Sequence, residues 1–169
     1  ASSENEYSHE VLEDVVITAD YSVADEMQIF DFVSTETTCE ITGIKDIDVE
    51  EVIVPDYVTS IGESAFYMSG LKEINIPNSE AIIGDNAFAY CKQLQKAVLP
   101  TSLKRLGDGL FFNCTQLVDL LIPEGVTHIG MNAFNGCTAL KELYIPESVT
   151  HIGLDALSGC DNLENLIMP

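Results

Sequence analysis

The chain has 169 residues, 46% of them hydrophobic, enough for one compact domain or one repeat array whose core grows with length. Its 28 acidic against 7 basic residues give a formal charge of −21, which repels phosphate backbones and anionic lipid head groups over roughly a Debye length, about 8 Å in physiological salt. Nucleic acid is excluded as an expected partner, and with no long uninterrupted apolar run direct membrane insertion is not predicted either.

In chain order, residues 1–13 come first. Ala1-Ser2-Ser3-Glu4-Asn5-Glu6 reads as the start of a flexible acidic tether, the kind of stretch left after an export signal or a lipid-anchor cysteine has been removed. Residues 14–54 form a predicted N-terminal β cap with strands at Val15 to Ile17, Ile29 to Val33 and Cys39 to Ile41, whose pairing is open. The front of the chain carries most of the charge: residues 1–54 hold 15 acids and only Lys45, a net of −14, against −7 for the remainder. It lacks the D-x-[DN]-x-[DN]-G loop that arranges oxygens around calcium, so solvated charge is expected there.

From residue 55 the chain repeats. Prolines stand at 55, 77, 100, 123, 146 and 169, and each of the first five is followed seven residues later by Gly62, Gly84, Gly107, Gly130 or Gly153. A bulky residue follows each glycine by four: Phe66, Phe88, Phe111, Phe134 and Leu157. Residues 55–169 are thus five units of 22 to 23 residues. In the fourth, Ala133, Phe134, Cys137 and Leu140 lie at i, i+1, i+4 and i+7, which predicts one face of a short helical segment, while Leu143 and Ile145 alternate around Tyr144 as in a strand. Pro146 ends that strand, where its missing N–H costs little. Gly130 is expected to supply the glycine-type conformation of a strand-to-helix turn. One unit has two open ends and cannot fold alone; stacking buries them and makes an α/β repeat solenoid with strands about 4.8 Å apart.

The succession of proline, V-T-x-I-G, A-F, C, L and L-x-I-P resembles the BspA-like, or Treponema-type, leucine-rich repeats. Cys39-Glu40-Ile41-Thr42-Gly43 followed by Val52-Ile53-Val54-Pro55 is similar to the irregular β lead-in of such proteins and extends the resemblance to about Asp14. It implies a bacterial surface or secreted protein, often from a host-associated species, whose repeats bind host proteins or other cells. A lipid anchor is one mode of attachment consistent with it.

The breaks in the pattern are informative. Unit one is a residue short and has Ser69-Gly70 where later units place cysteine, as terminal repeats tend to be atypical. Unit two has Glu80 where the others have Val58, Leu103, Val126 and Val149; a carboxylate facing an apolar stack carries a large desolvation penalty, so Ala81 or Ile82 is expected to turn inward instead. The sequence stops on a strand without a polar closing repeat over Leu163, Leu166 and Met168. Truncation of a longer chain at this point is expected, with end-to-end self-association as the alternative.

Cys91, Cys114, Cys137 and Cys160 recur at one position of successive units and predict an internal column of free thiols, since metal sites usually pair cysteines two to four residues apart. His128 and His151 are also equivalent; they read as an exposed polar ladder, with no carboxylate recurring beside them to complete a metal site. G-x-S-x-G, H-E-x-x-H and phosphate-loop motifs are absent. Neither enzyme activity nor a cofactor or metal is predicted.

The best functional candidate is the outward row of the main strands: Ile53, Asn75, Val98, Leu121, Tyr144 and Ile167, flanked by Glu51, Glu73, Lys96, Asp119, Glu142 and Asn165. An apolar stripe with a polar rim fits a protein-binding face, although β-branched and aromatic residues also favour strands for their own sake. The expected function is adhesion to a protein partner, such as an extracellular-matrix or plasma protein of a host, from the cell surface or outside the cell. The alternative is a structural spacer displaying another domain of a longer chain.

Overall fold

The computed structural model describes residues 29–77 and 81–168. The tether, the Val15 to Ile17 strand and Glu80 lie outside the described residues.

Strands β1 (Phe30–Ser34) and β2 (Cys39–Ile44) form an antiparallel hairpin with an irregularity between Asp31 and Phe32. Its turn is closed by Thr35, whose Oγ1 accepts the N–H groups of Thr37 and Thr38. The hairpin settles the pairing of two of the three predicted cap strands, Ile29 to Val33 and Cys39 to Ile41. It joins the repeats through β2, which lies parallel to β4 (Ser60–Ile61).

Each repeat then contributes two short parallel strands. On the first face β3 (Glu51–Ile53), β5 (Glu73–Asn75), β7 (Lys96–Val98) and β9 (Asp119–Leu120) pair in that order, and β11 (Glu142–Tyr144) pairs with β13 (Asn165–Ile167). On the second face β6 (Ile82–Ile83) extends the β1–β2–β4 sheet, while β8 (Arg105–Leu106), β10 (His128–Ile129) and β12 (His151–Ile152) form another. Alternation decides which side chains enter: Val52, Ile74, Ala97 and Leu143 are buried between outward neighbours. In unit two Ala81 and Ile83 are buried and Ile82 is exposed, so Ala81 turns inward as anticipated.

The expected helical segments do not form: among the described residues there is no α-helix, and no helix long and apolar enough to cross a membrane. The stretch after each strand of the second face is instead a succession of turns. Within residues 62–69 the N–H groups of Ala65, Tyr67 and Ser69 donate to carbonyls three residues back, while those of Ser64, Phe66 and Met68 donate to Asp85, Ala87 and Ala89 of the next coil. Every second donor thus leaves its own coil, which an i→i−4 helix does not permit. Left-handed residues enforce this geometry: Asn86, Gly109, Asn132 and Asp155 share one position, and Asn113, Gly136 and Gly159 share the position four further on. Consecutive turns still bring residues four apart to one face, so the apolar spacing imitates a helix.

The role expected for Gly130 also changes. Its φ is not positive; an added Cβ would stand 2.6 Å from both Asp108 N and Gly107 C in the preceding coil. Close approach of two backbones, not a left-handed turn, requires glycine there.

The core is one continuous column. Phe66, Phe88, Phe111 and Phe134 stack with centroids 5.4, 5.5 and 6.0 Å apart, and all four are buried.

Candidate protein-binding face

Strand pairing brings the outward residues of the first face into rows. Glu51, Glu73, Lys96 and Asp119 are successive partners, as are Ile53, Asn75 and Val98; Glu142 faces Asn165 and Tyr144 faces Ile167. Ile53 and Leu121 are 73% and 70% exposed, Val98 41% and Ile167 45%, while Asn75 and Tyr144 are half-buried. Between β3, β5 and β7 lies a shallow depression of about 210 Å³, lined by Glu51, Ile53, Glu73, Asn75, Lys96 and Val98 with the backbone beneath them. The row is broken at Leu121, because β9 ends at Leu120 and β11 belongs to a separate pair.

The rim is electrostatically uneven. Glu51 and Glu73 stand directly opposite, an unfavourable like-charge pair, whereas Lys96 Nζ lies 3.5 Å from Asp119 Oδ2. Lys72 and Glu50 form a second exposed pair at 2.6 Å. Both pairs are solvent-exposed, so each contributes little to stability.

The second face presents Ile82, Arg105, His128 and His151. Arg105 reaches Asp85 at 3.3 Å and Asp108 at 3.1 Å. The imidazoles of His128 and His151 stack, with centroids 4.5 Å apart and planes 3° from parallel. At the far end of the stack Leu154, Leu166 and Met168 are exposed.

One surface feature was not anticipated from the sequence. Tyr67, Tyr90 and Phe112 form an edge-to-face row over the turns, with centroids 5.5 and 5.2 Å apart. Tyr67 and Phe112 directly follow their column phenylalanines but Tyr90 stands one place later in its unit, so a search for equivalent positions passes over the diagonal.

The thiol column takes a defined role. Cys91, Cys114, Cys137 and Cys160 donate through Sγ to the carbonyls of Phe66, Phe88, Phe111 and Phe134, at 2.9, 3.1, 3.2 and 3.2 Å. Each thiol thereby satisfies a backbone acceptor of the preceding coil. Burial pushes the Cys91 thiol up to about 11 and that of Cys137 up to about 12, so both remain protonated donors at neutral pH. Ser69 continues the column in unit one, its hydroxyl 3.2 Å from Cys91 Sγ.

The family model for the BspA type leucine rich repeat region matches residues 44–168 in six copies. In structure the chain is similar to a leucine-rich repeat protein of T. pallidum, at 27% identity and a TM-score of 0.78 over 83% of this chain and 69% of that one. It is also similar to a leucine-rich repeat protein of Bacteroides ovatus, at 34% identity and a TM-score of 0.76 over 83% of this chain. A leucine rich cell surface protein of Faecalibacterium prausnitzii is 25% identical, with a TM-score of 0.55 over 82% of this chain. The chain spans 39% of the Bacteroides protein and 52% of the Faecalibacterium protein. No curated protein matches it.

Proposed function

Because the chain belongs to the BspA-type leucine-rich-repeat family, we propose that it is a non-catalytic protein-binding module of a secreted or surface-exposed bacterial protein. Adhesion runs through the first face: Ile53, Asn75, Val98, Leu121, Tyr144 and Ile167 make contact, and Glu73, Lys96, Asp119 and Glu142 form the polar rim. The observation that carries this reading is the exposure of Ile53 on the paired strand β3 and of Leu121 just past the end of β9, each more than two thirds accessible. Large apolar side chains presented by a rigid sheet lose little conformational entropy on binding and suit a contact surface. The partner class is a protein of the host matrix or plasma.

The spacer reading has one observation in its favour, the break of the paired row at Leu121. Binding to a panel of immobilised matrix and plasma proteins at physiological salt separates the two. The parent is expected to bind, and a Leu121→Ser, Tyr144→Ser double variant with a native circular dichroism spectrum is expected to bind at least about fivefold more weakly, as for a contact residue worth 1 kcal/mol. Undiminished binding by the variant removes the first face from the account, and no binding by either chain favours the spacer.

A further inference from the structure

We propose that His128 and His151 together hold a divalent transition-metal ion, of the Zn2+ class, across the fourth and fifth coils.

The argument starts from threonine. Thr127 Oγ1 lies 3.1 Å from the Lys104 carbonyl and 2.8 Å from His128 Nδ1. A hydroxyl has one proton and a carbonyl can only accept, so both hydrogen bonds form at once only when the hydroxyl donates to Lys104 O, which also takes the Thr127 N–H, and the threonine oxygen accepts from Nδ1–H. The next coil repeats the arrangement: Thr150 Oγ1 is 3.1 Å from the Thr127 carbonyl and 2.8 Å from His151 Nδ1. Both rings are therefore held in the Nδ1–H tautomer, which leaves the lone pair on Nε2. No described residue hydrogen-bonds to either Nε2. Metal-ligating histidines are oriented in this way, one ring N–H donated to a fixed acceptor and the other nitrogen left for the ion.

The two donors are also close. His128 and His151 are direct partners on β10 and β12, both exposed, and their parallel rings stand 4.5 Å apart. Ligand nitrogens in a tetrahedral zinc site are about 3.3 Å apart when each Zn–N bond is about 2.0 to 2.1 Å, and the ion lies in the plane of each ring, so the two rings need to close by about 1 Å and to turn out of parallel until their Nε2 lone pairs converge. Both side chains are exposed and have room for that movement. The neighbouring cation, Arg105, is in register with His128, but its guanidinium is turned to Asp85 and Asp108, and the chain's charge of −21 attracts cations generally. Among the described residues no third histidine, cysteine or carboxylate completes the cluster, so water fills the other positions. Imidazole donors select zinc, nickel or copper over calcium and magnesium, which take oxygen ligands. The polar-ladder reading of these residues accounts for their exposure but not for the threonine relay, which coil three lacks because Lys104 and Arg105 occupy the two positions.

The test is a Zn2+ titration of the whole chain, followed by calorimetry and by the 15N resonances of the ring nitrogens. The metal-free spectrum is expected to show both rings protonated at Nδ1, and Zn2+ to shift Nε2 of His128 and His151 together until saturation. His128→Gln and His151→Gln are each expected to abolish the saturable event, and Thr150→Val to weaken it about tenfold, the loss typical of removing an orienting partner. Unshifted Nε2 resonances at saturating Zn2+, or unchanged binding by the His128→Gln, His151→Gln double variant, overturn the proposal.

Discussion

Phe30 meets Phe66 edge-on, with ring centroids 6.1 Å apart and planes at 87°, whereas each later pair in the column lies within 19° of parallel. Among the described residues the β1–β2 hairpin therefore ends the stack, with a change of ring orientation. A parallel ring would present another open face to a further coil; the perpendicular one presents its edge and closes the apolar column. Phe30 is fully buried although it lies ahead of the first repeat.

Truncating this ring should uncover Phe66. Phe30→Ala is expected to cost about 3 to 5 kcal/mol, the range for a buried phenylalanine, and Phe30→Leu distinctly less because it retains most of the volume. Urea denaturation measures the difference. Because coils stack one on the next, amide exchange should accelerate first around Phe66 and last around Phe134. Uniform acceleration along the stack would mean that Phe30 does not act as an end cap.

The glycine ladder admits a second test with an internal control. At Gly130 the obstacle to a methyl group is backbone, Asp108 N and Gly107 C at 2.6 Å, which cannot move without opening the coils. Gly130→Ala should cost about 3 kcal/mol, at the upper end of the overpacking range. At Gly125 the nearest atom is Lys104 Nζ at 3.0 Å, the end of a flexible side chain, so Gly125→Ala should change stability by about 0.5 kcal/mol or less. Equal effects at the two positions would show that close coil approach is not the reason for Gly130.

The strand rows, the inward set and the cysteine column were legible from the sequence because each depends on a repeated register: a residue 23 positions on meets the same neighbours one coil later. The first-face row follows from alternation about Leu143 and Ile145 alone. The turn segment reads as a helix because Ala133, Phe134, Cys137 and Leu140 have helical spacing whether the N–H groups of the segment donate within their own coil or to the next. The corrective signal was present in the asparagine and glycine at the two left-handed positions, Asn132 and Gly136, since these residues tolerate that conformation best. The stacking of His128 on His151 follows from the register, but the threonine relay beneath it depends on hydroxyl geometry that no spacing reveals.

Two coils place unsuitable residues at the second left-handed position. Met68 has φ of 60° and Tyr90 of 61°, where later coils have Asn113, Gly136 and Gly159. Met68 is 60% exposed, so replacing it sacrifices little packing. Met68→Gly is expected to raise stability by about 1 kcal/mol, the lower bound of the steric cost that a side chain meets in this region, with glycine's entropy cost setting the limit. Thermal melting reads the gain. A lower melting temperature would show that Met68 makes a contact worth more than the strain.

The buried thiols connect stability to pH. Cys91 and Cys137 have folded values raised to about 11 and about 12 by burial, and Cys114 is raised well above the ordinary value by burial first and by its neighbours Cys91 and Cys137 second. An unfolded thiol ionises near about 8.5. Below that pH both states hold the proton and the thiols leave stability unchanged. Above it the unfolded chain releases protons that the folded chain retains, so stability falls as pH rises towards the folded values. Melting temperature should be level from pH 6 to 8 and decline beyond pH 9, and a Cys114→Ser variant should decline less steeply while retaining a donor for the Phe88 carbonyl. Cys114→Ala removes that donor and should cost about 1 to 3 kcal/mol already at pH 7. Alkylation near neutral pH should reach the half-buried Cys160 before Cys91, Cys114 or Cys137; rapid modification of Cys114 would show that the column opens to solvent and that its thiols do not act as fixed donors.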